Sequence, residues 1–341
     1  MTENQNHRTS TQIQLVSRPT GWPTAENFRT VTVELPDLGE NEVRVENEFV
    51  SVDPYMRGRM SDAKSYIPPF ALGETMDGGA VGRVIASRAD SLPVGTLVLH
   101  QLGWRDVAQA DAGAFRAVAD LPGASPSLYL GILGMTGLTA YVGLTEIAHL
   151  APGETVFVSG AAGAVGTAVG QIARLLGAGR VIGSAGSDEK VALLKEKYGF
   201  DAALNYKSAP VREQLAELAP GGVDVFFDNV GGDHLEAAID VMNDHGRMAL
   251  CGAISQYNTT GPAQGPDNMV KFIKGSLSMR GFTLGHHLDK AGEYNELMSG
   301  WFADGDIQYD ETVVDGIENT VDAFLGLMRG ANTGKMVVRT A

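Results

Sequence analysis

The most constraining stretch of this 341-residue chain is residues 155–176, TVFVSGAAGAVGTAVGQIARLL. Residues 155–159 form a short run of β-branched and aromatic residues, which predicts a buried parallel strand. The second half is amphipathic, with apolar residues on one face at helical spacing, which predicts a helix. Between the two lies a glycine-rich turn, where small residues allow a pyrophosphate to approach the backbone and the N-terminus of a helix. The stretch predicts a dinucleotide site or, alternatively, a tight strand–helix turn without a ligand.

The spacing of this turn departs from the G-x-G-x-x-G fingerprint. In that register the three positions are Ala161, Gly163 and Gly166. Alanine does not adopt a positive φ as readily as glycine, so the turn must differ from the usual one. We favour a dinucleotide site because further strand–helix units follow downstream.

Length and composition indicate a two-domain enzyme of ordinary globular type. The chain is 44% hydrophobic and 20% charged, and its length suggests two domains. A net charge of −15 argues against nucleic acid and anionic membrane surfaces as partners. No apolar run reaches the length of a membrane span and no signal segment opens the chain, so we expect a cytoplasmic protein.

Cysteine and histidine usage argues against a metal. Cys251 is the single cysteine, which excludes an internal disulfide and is consistent with a reducing cytoplasm. The seven histidines are scattered, and the one close pair, His286 and His287, has no acidic or thiol partner at metal-ligand spacing. We predict that no metal is bound.

Two regions of different character follow a polar start, residues 1–12, which we expect to be a frayed tail. Residues 13 to about 130 predict a compact barrel or sandwich of strands separated by Pro, Gly, Asp and Asn, at 31–35, 42–50, 79–87 and 96–100. From residue 131 helices alternate with strands, which predicts a doubly wound parallel sheet. After the strand at 155–159, its strands are predicted at 180–184, 202–205, 223–228, 247–253 and 278–284. Its helices are predicted at 135–150, 189–198, 211–218, 234–242 and 293–303, and a helix at 320–327 and a strand at 336–339 end the chain.

Residues just beyond the strands of such a sheet face the ligand. The tip of the second predicted strand has no acidic residue to bind a ribose 2′-hydroxyl, and Lys190 lies in the first turn of the next helix. A cation there opposes the helix dipole, which makes sense if a 2′-phosphate lies nearby. This favours NADP over NAD, although Asp188 and Glu189 leave open an ordinary solvated lysine.

Two tyrosines follow later strands. Tyr206 could stack on the adenosine or bind its phosphate, or could simply belong to the core or the rim. Tyr257 follows the fifth strand, where its phenol could donate to a substrate carbonyl oxygen or merely line the pocket. In the first region, the residues of SVDPYMRGRM at 51–60 favour a structural turn with a paired surface arginine over a turn that carries polar and aromatic groups towards a cleft.

Eight motifs in order resemble the zinc-free branch of the medium-chain dehydrogenase/reductase superfamily. The most similar group is the NADPH-dependent alkenal double-bond reductases, which includes prostaglandin and curcumin reductases. The motifs are SVDPYMRGRM (51–60), GMTGLTAYVGL (134–144), SGAAGAVG (159–166), GSDEK (186–190), FDNVGG (227–232), ISQYN (254–258), RGF (280–282) and ANTGK (331–335). The resemblance implies an α/β fold, with a GroES-like β-barrel domain (1–130), a Rossmann NADP-binding domain (131–304) and a C-terminal return to the catalytic domain (305–341).

The resemblance also implies NADPH as cofactor and assigns residues to it. Lys190 and Tyr206 would lie at the 2′-phosphate, Asn229 and Asn332 near the ribose and nicotinamide, and Tyr257 nearest the chemistry. The remaining cofactor-binding candidates are Ala162, Gly163, Ala164, Val165, Gly186, Ser187, Cys251 and Phe282. Those of the substrate pocket are Tyr55, Tyr66, Met135 and Tyr257.

The implied reaction is reduction of the C=C bond of an α,β-unsaturated aldehyde or ketone. A hydride reaches the β-carbon, Tyr257 or a ribose hydroxyl stabilises the enolate oxygen, and water or a tyrosine protonates the α-carbon. The resemblance implies a homodimer formed through edge strands of the Rossmann sheets. Alternatives are an NADPH:quinone oxidoreductase of the same fold and a non-catalytic NADPH-binding protein.

Overall fold

The structure is a computed structural model, and it describes residues 8–263 and 265–340. The chain divides into two compact units, one containing residues up to 130 together with those from 311 onward, and the other containing 131–310. Residues 305–310 group with the second unit, six residues beyond the predicted limit of 304. The domain limits inferred from the sequence remain a prediction.

The described residues form strands, α-helices and shorter helical turns. The strands are β1 (Thr9–Leu15), β2 (Phe28–Glu34), β3 (Glu42–Ser51), β4 (Ala80–Ser87), β5 (Leu97–His100), β6 (Val107–Asp111), β7 (Phe115–Ala117), β8 (Thr155–Val158), β9 (Arg180–Ala185), β10 (Ala202–Asn205), β11 (Val223–Asp228), β12 (Met242–Leu250), β13 (Ser278–Gly281), β14 (Glu311–Asp315) and β15 (Lys335–Arg339). The α-helices are α1 (Tyr55–Arg59), α2 (Met135–Val142), α3 (Ala164–Leu175), α4 (Asp188–Glu196), α5 (Val211–Leu218), α6 (Asp233–Val241), α7 (Val270–Lys274), α8 (Ala291–Ala303) and α9 (Thr320–Met328).

The first unit is built on antiparallel pairing. Its larger sheet has the order β14-β15-β3-β4-β5-β7, with β6 also paired to β3, and the pair β14–β15 is parallel. Along most of β3 every second residue is buried, and Val43 and Val45 join a core cluster that includes Phe115. This alternation is the period of a half-buried strand, which explains why β3 is recognisable in the sequence.

The predicted frayed tail is wrong for the part of it that the structure describes. Residues 1–7 lie outside the described residues, but Thr9–Leu15 form β1, antiparallel to β2. The inward-facing positions include Ser10 and Gln12, which are buried. The Ser10 hydroxyl donates a hydrogen bond to the carbonyl of Val107 at 2.7 Å. Polar side chains satisfied inside the unit conceal the strand period, which is why this strand looked like a polar tail.

The second unit contains a parallel sheet of six strands in the order β10-β9-β8-β11-β12-β13. Residues 156–158 of β8 and 225–227 of β11 are fully buried, as expected for central strands covered on both faces. The chain leaves β8 in one direction, to β9 and β10, and then returns to β11 on its other side. The switch point between β8 and β11 is where ligands of doubly wound sheets bind, at the carboxyl ends of the strands.

Three predicted elements of the second unit differ most from the limits that the structure gives them. Strand β12 begins and ends earlier than the predicted 247–253, and β13 stops at Gly281 instead of 284. The predicted helix 135–150 is α2 followed by a π-helical turn, Gly143–Ile147. A side chain at Gly143 would place its Cβ 2.2 Å from the ring of Phe227 and 3.0 Å from that of Phe282. The turn therefore brings the helix backbone against the aromatic residues near the carboxyl ends of the central strands.

Candidate functional site

The glycine-rich turn after β8 uses a different glycine from the one that the fingerprint specifies. Gly160 has a φ of +59°, so the left-handed residue is one position before Ala161, which explains how an alanine is tolerated there. A Cβ at Gly166 would lie 2.4 Å from the Gly160 oxygen and 2.6 Å from the Ala161 Cα. Gly166 therefore allows α3 to begin directly against the turn, so the operative spacing is Gly160, Gly163 and Gly166.

Helix α3 begins where a pyrophosphate would need it. Gly163 is the N-cap residue and provides no capping side chain, and Ala164 and Val165 form the first turn. The first N–H groups of an α-helix have no partner within the helix and carry the positive end of its dipole. The predicted pyrophosphate residues, Ala162 to Val165, thus present small side chains and backbone donors.

A buried carboxylate organises the switch point, and the sequence analysis missed it. Asp228, at the end of β11, is 1% exposed. Its Oδ1 accepts hydrogen bonds from the Ser159 hydroxyl at 2.6 Å and from the backbone N–H groups of Val230 and Gly231, both at 2.9 Å. Burial raises the pKa of Asp228, and these donors oppose the rise. Polar residues at the ends of two neighbouring parallel strands were the signal that could have revealed this pair.

The same network fixes Asn229. Its backbone N–H donates to the Ser159 hydroxyl oxygen and its side-chain Nδ2 donates to the Ser159 carbonyl, both at 2.8 Å. The predicted ribose-binding amide is therefore held between the carboxyl ends of β8 and β11, with its orientation set by the protein.

A cationic corner forms beyond β9 and β10. Ser187 caps α4 by accepting the Lys190 backbone N–H at 3.3 Å. Burial lowers the pKa of the Lys190 ammonium, and the positive charge of Lys207 lowers it further. Asp188 accepts a hydrogen bond from Asn205 Nδ2 at 2.7 Å, so one of the two acids near Lys190 is engaged by an amide.

Tyr206 lies in this corner. A Cβ at Gly186 would be 2.6 Å from the Tyr206 hydroxyl, so the phenol lies directly over a bare stretch of backbone. The Lys207 Nζ lies 6.0 Å from the centre of the Tyr206 ring. The side chain is 38% exposed. Tyr206 is therefore at the rim of the sheet edge beside two lysines, where an anionic group could be bound.

The end of β12 places Tyr257 next to backbone. The Tyr257 hydroxyl accepts the Ala253 N–H at 3.4 Å, and a Cβ at Gly252 would lie 3.3 Å from the same oxygen. Cys251 precedes this segment, and burial raises the pKa of its thiol to about 12, with the charge of Asp228 contributing. The thiol is therefore neutral at pH 7 and suits a wall of the site better than a nucleophile. The Phe282 ring packs edge-on against Phe227, with centroids 6.2 Å apart.

The predicted residues of the first unit are held by a buried ion pair. Lys335 Nζ lies 2.8 Å from Asp53 Oδ1 and 3.1 Å from the Val52 carbonyl, and both charged side chains are buried. This pair joins the turn that carries Tyr55 to the segment that carries Asn332. This pair could not be predicted from the sequence, because the two charges are 282 positions apart.

Three of these predicted residues have distinct settings within their own units. Burial and the charge of Asp53 raise the pKa of Tyr55. Tyr66 is 69% exposed, and Asn332 is buried, with its Nδ2 donating to the Gly334 carbonyl at 2.8 Å. In the second unit, Met135 is the first residue of α2 and is 44% exposed.

The predicted surface arginine of the turn at 51–60 is wrong. Arg57 and Arg59 are both buried. Arg57 donates to the Gly21 carbonyl at 2.7 Å, and Arg59 pairs with Asp77 at 3.3 Å. Both guanidinium groups reach back to neighbouring loops of the same unit, so their methylene stems are covered while their donors are satisfied.

The described residues, 8–263 and 265–340, contain neither a membrane-spanning helix nor a cluster of metal ligands. None of their helices is both long and apolar enough to cross a membrane. Within 8–263 and 265–340, no group of three or more His, Cys, Asp or Glu side chains could hold a metal ion. The metal-free interpretation remains a prediction.

Comparisons with known proteins agree along almost the whole chain. A family model described as the N-terminal domain of oxidoreductase matches residues 11–118, and one described as zinc-binding dehydrogenase matches residues 164–303. NADPH-dependent curcumin reductase of Escherichia coli is 40% identical over 96% of both chains. Prostaglandin reductase 1 of Sus scrofa is 46% identical over 94% of this chain and 95% of its own. The crystal structure of CurA from Vibrio vulnificus in complex with NADPH has a TM-score of 0.91 at 44% identity, and the match covers 97% of this chain and 99% of that one.

The second family description names zinc, but among residues 8–263 and 265–340 no cluster of His, Cys, Asp or Glu side chains is placed to hold such an ion.

Proposed function

The chain belongs to the medium-chain dehydrogenase/reductase superfamily, and on that premise we propose that it reduces the carbon–carbon double bond of α,β-unsaturated aldehydes and ketones with NADPH. The observation that carries the proposal is the sheet edge of the second unit. It combines the start of α3, whose N-cap residue is a glycine, with the fixed Asn229 amide and the Tyr257 phenol beside the end of β12. The named relatives, a curcumin reductase and a prostaglandin reductase, support the substrate class.

The cationic corner fits the 2′-phosphate that distinguishes NADPH from NADH. Lys190 and Lys207 are close enough for each charge to act on the other, and the dianionic phosphate would relieve that repulsion. The protein as a whole carries a net charge of −15, so local cations must hold the phosphate against a repulsive background. We assign Lys190, Tyr206, Gly186 and Ser187 to this end of the cofactor.

Asn229 and the start of α3 account for the middle of the cofactor. Residues 162–165 would line the pyrophosphate, with the N–H groups of Ala164 and Val165 as donors, because the Gly163 N–H already donates to the Gly160 carbonyl at 3.1 Å. The immobilised Asn229 amide would bind the ribose. Cys251 and Phe282 would form apolar walls at the nicotinamide end. Asn332, in the first unit, is proposed as a further cofactor-binding residue. The family membership of the chain supports these proposed roles.

Bound NADPH supplies a hydride to the β-carbon of the substrate. As the double bond is reduced, negative charge moves to the carbonyl oxygen, and a donor aimed at that oxygen strengthens as the enolate forms. We propose Tyr257 for this role, since the Ala253 N–H already fixes the position of its hydroxyl oxygen. Water or a tyrosine then protonates the α-carbon. Tyr55, Tyr66 and Met135 would contact the substrate.

We further propose a cytoplasmic homodimer. Strand β13 is the last strand of the parallel sheet, and its four residues, Ser278–Gly281, are all exposed. An exposed edge strand offers unpaired backbone groups to a second copy of the chain. Sedimentation equilibrium should therefore give twice the mass of the chain, and Met279→Pro, which removes one backbone donor, should shift the mass toward that of the monomer. A monomeric wild-type protein would contradict this part of the proposal.

The function is tested by mixing the purified protein with NADPH or NADH and a panel of acceptors. The panel contains a linear enal, an aryl enone, a quinone and a saturated ketone, with an alcohol tested against oxidised cofactor. Oxidation of NADPH with the enal or enone, giving the saturated carbonyl, is the expected result. Activity confined to the quinone would instead identify a quinone reductase, and binding of NADPH without turnover would identify a non-catalytic protein.

A further inference from the structure

His234 is a buried histidine beside the cationic corner, and none of the roles above uses it. Its side chain is 5% exposed, and its Nε2 has no hydrogen-bond partner among residues 8–263 and 265–340. Leaving a buried polar group unpaired destabilises the folded protein, so such a group in a binding region points to a partner supplied by a ligand.

Two contacts connect His234 to the corner. Its ring packs edge-to-face on the Tyr206 ring, with centroids 5.3 Å apart. The hydroxyl of the same tyrosine lies over Gly186, next to the cap of α4. His234 therefore reaches the corner from the start of α6, whereas Lys190 and Tyr206 reach it from the strands on the other side of the switch point.

The charge state of His234 indicates which part of a ligand it would contact. Burial lowers the pKa of the imidazole to about 4, and Asp233 only partly opposes this. The ring is therefore neutral at pH 7 and offers one donor or one acceptor at Nε2 instead of a positive charge. A neutral ring nitrogen suits a ribose hydroxyl or the edge of an adenine better than a phosphate.

We propose that His234 is an additional adenosine-binding residue, whose Nε2 forms a hydrogen bond with the uncharged ribose or adenine of the cofactor. The proposal rests on the proposed use of NADPH and deepens it. Access to Nε2 requires the partly exposed Tyr206 to move off the His234 ring. Because NADPH and NADH share this adenosine, His234 contributes equally to both, whereas Lys190 contributes to NADPH alone.

The test compares His234→Phe, which keeps an aromatic ring without its nitrogens, with His234→Gln, which keeps a polar group. Calorimetry would give dissociation constants for NADPH, NADH, 2′,5′-ADP and reduced nicotinamide mononucleotide. His234→Phe should weaken the first three by the same factor, roughly fivefold to tenfold, the size of one neutral hydrogen bond. It should leave the affinity for the mononucleotide unchanged. His234→Gln should recover most of the loss, and His286→Phe, at an exposed histidine, should have no effect.

Three results would overturn the proposal. One is wild-type affinity for 2′,5′-ADP in folded His234→Phe, and another is an equal loss for the mononucleotide, which would indicate general damage. If His234→Phe does not fold, ¹⁵N-histidine spectra of the wild-type protein decide, with the His234 signal assigned through His234→Gln. Addition of 2′,5′-ADP should shift its Nε2 resonance, and an unmoved resonance is the third contrary result. A wild-type protein that binds NADPH in this way but reduces no enone would refute the proposed reaction and leave this inference standing.

Discussion

At the carboxyl ends of β8, β11 and β12, buried neutral donors surround one carboxylate, whereas at the ends of β9 and β10 two lysines lie at a partly exposed rim. The first region is held by hydrogen bonds among protein groups, and its side chains are fixed before any ligand arrives. The second keeps its charges close together at the cost of mutual repulsion. The contrast teaches that one end of the site supplies fixed geometry and the other supplies selection by charge.

Removal of the Asp228 carboxylate should have the largest effect. Asp228→Ala should lower the free energy of unfolding by roughly 3 kcal/mol or more, because the Ser159 hydroxyl and the N–H groups of Val230 and Gly231 lose their acceptor. Urea denaturation measures the loss. Asp228→Asn keeps one acceptor oxygen and should cost much less. Equal costs for the two variants would mean that the hydrogen bonds are not what holds this region.

Removing the Tyr257 hydroxyl tests whether the fixed geometry at the carboxyl ends of β8, β11 and β12 contributes to catalysis. Tyr257→Phe should lower kcat with an enone about a hundredfold, the usual effect of losing one donor to a developing oxyanion. The NADPH dissociation constant should change less than twofold, because the ring remains beside Gly252. Steady-state kinetics and fluorescence titration give the two numbers, with Tyr309→Phe, on an exposed tyrosine, as the matched control. An unchanged kcat would assign the role to a ribose hydroxyl or to water.

Removing the Lys190 charge tests whether the lysines beyond β9 and β10 select the cofactor by charge. Lys190→Met should weaken NADPH by about tenfold or more, the size of a charge-assisted hydrogen bond, and leave NADH unchanged. Stability should change little, because the Lys190 side chain is partly exposed. Lys195→Met, on an exposed lysine of the same helix, is the control. Equal losses for NADPH and NADH would show that Lys190 does not select the 2′-phosphate.

The smallest expected effect is a change of selectivity with pH. Burial and Lys207 lower the pKa of Lys190, so its charge is lost at a lower pH than that of an ordinary lysine. The preference for NADPH over NADH should therefore fall as the pH rises toward that value. Lys190→Arg stays charged and should hold the ratio of the two affinities constant over the same range. An identical decline in Lys190→Arg would place the titrating group elsewhere.

Strands whose buried positions are all apolar could be predicted from the sequence. Strands with hydrogen-bonded polar side chains at buried positions could not. The apolar runs of β8 and β11 predict central parallel strands, and both were placed within a residue or two. Strand β1 was missed because Ser10 and Gln12 occupy its inward positions. The start of β12 was missed because Asn243 and Asp244 break its apolar pattern, and His245 has a positive φ.

The residues of the candidate site also include some that could be predicted from the sequence and some that could not. The glycine turn, Lys190, Tyr206 and Tyr257 could be located because each follows a predictable strand, where a parallel sheet places its ligand. The pairing of Asp228 with Ser159 and of Asp53 with Lys335 could not, because each joins positions far apart in the chain. The unpaired Nε2 of His234 was equally invisible, since it depends on which polar atoms surround a buried ring.

The most direct test of the proposed reaction follows the transferred hydrogen. The wild-type protein would be given an enone and NADPH carrying deuterium at the transferable C4 position, and the product would be analysed by proton NMR and mass spectrometry. We expect a saturated ketone with one deuterium on the β-carbon and none on the carbonyl carbon. Deuterium on the carbonyl carbon of an alcohol, or a saturated ketone without deuterium, would contradict hydride transfer to the double bond.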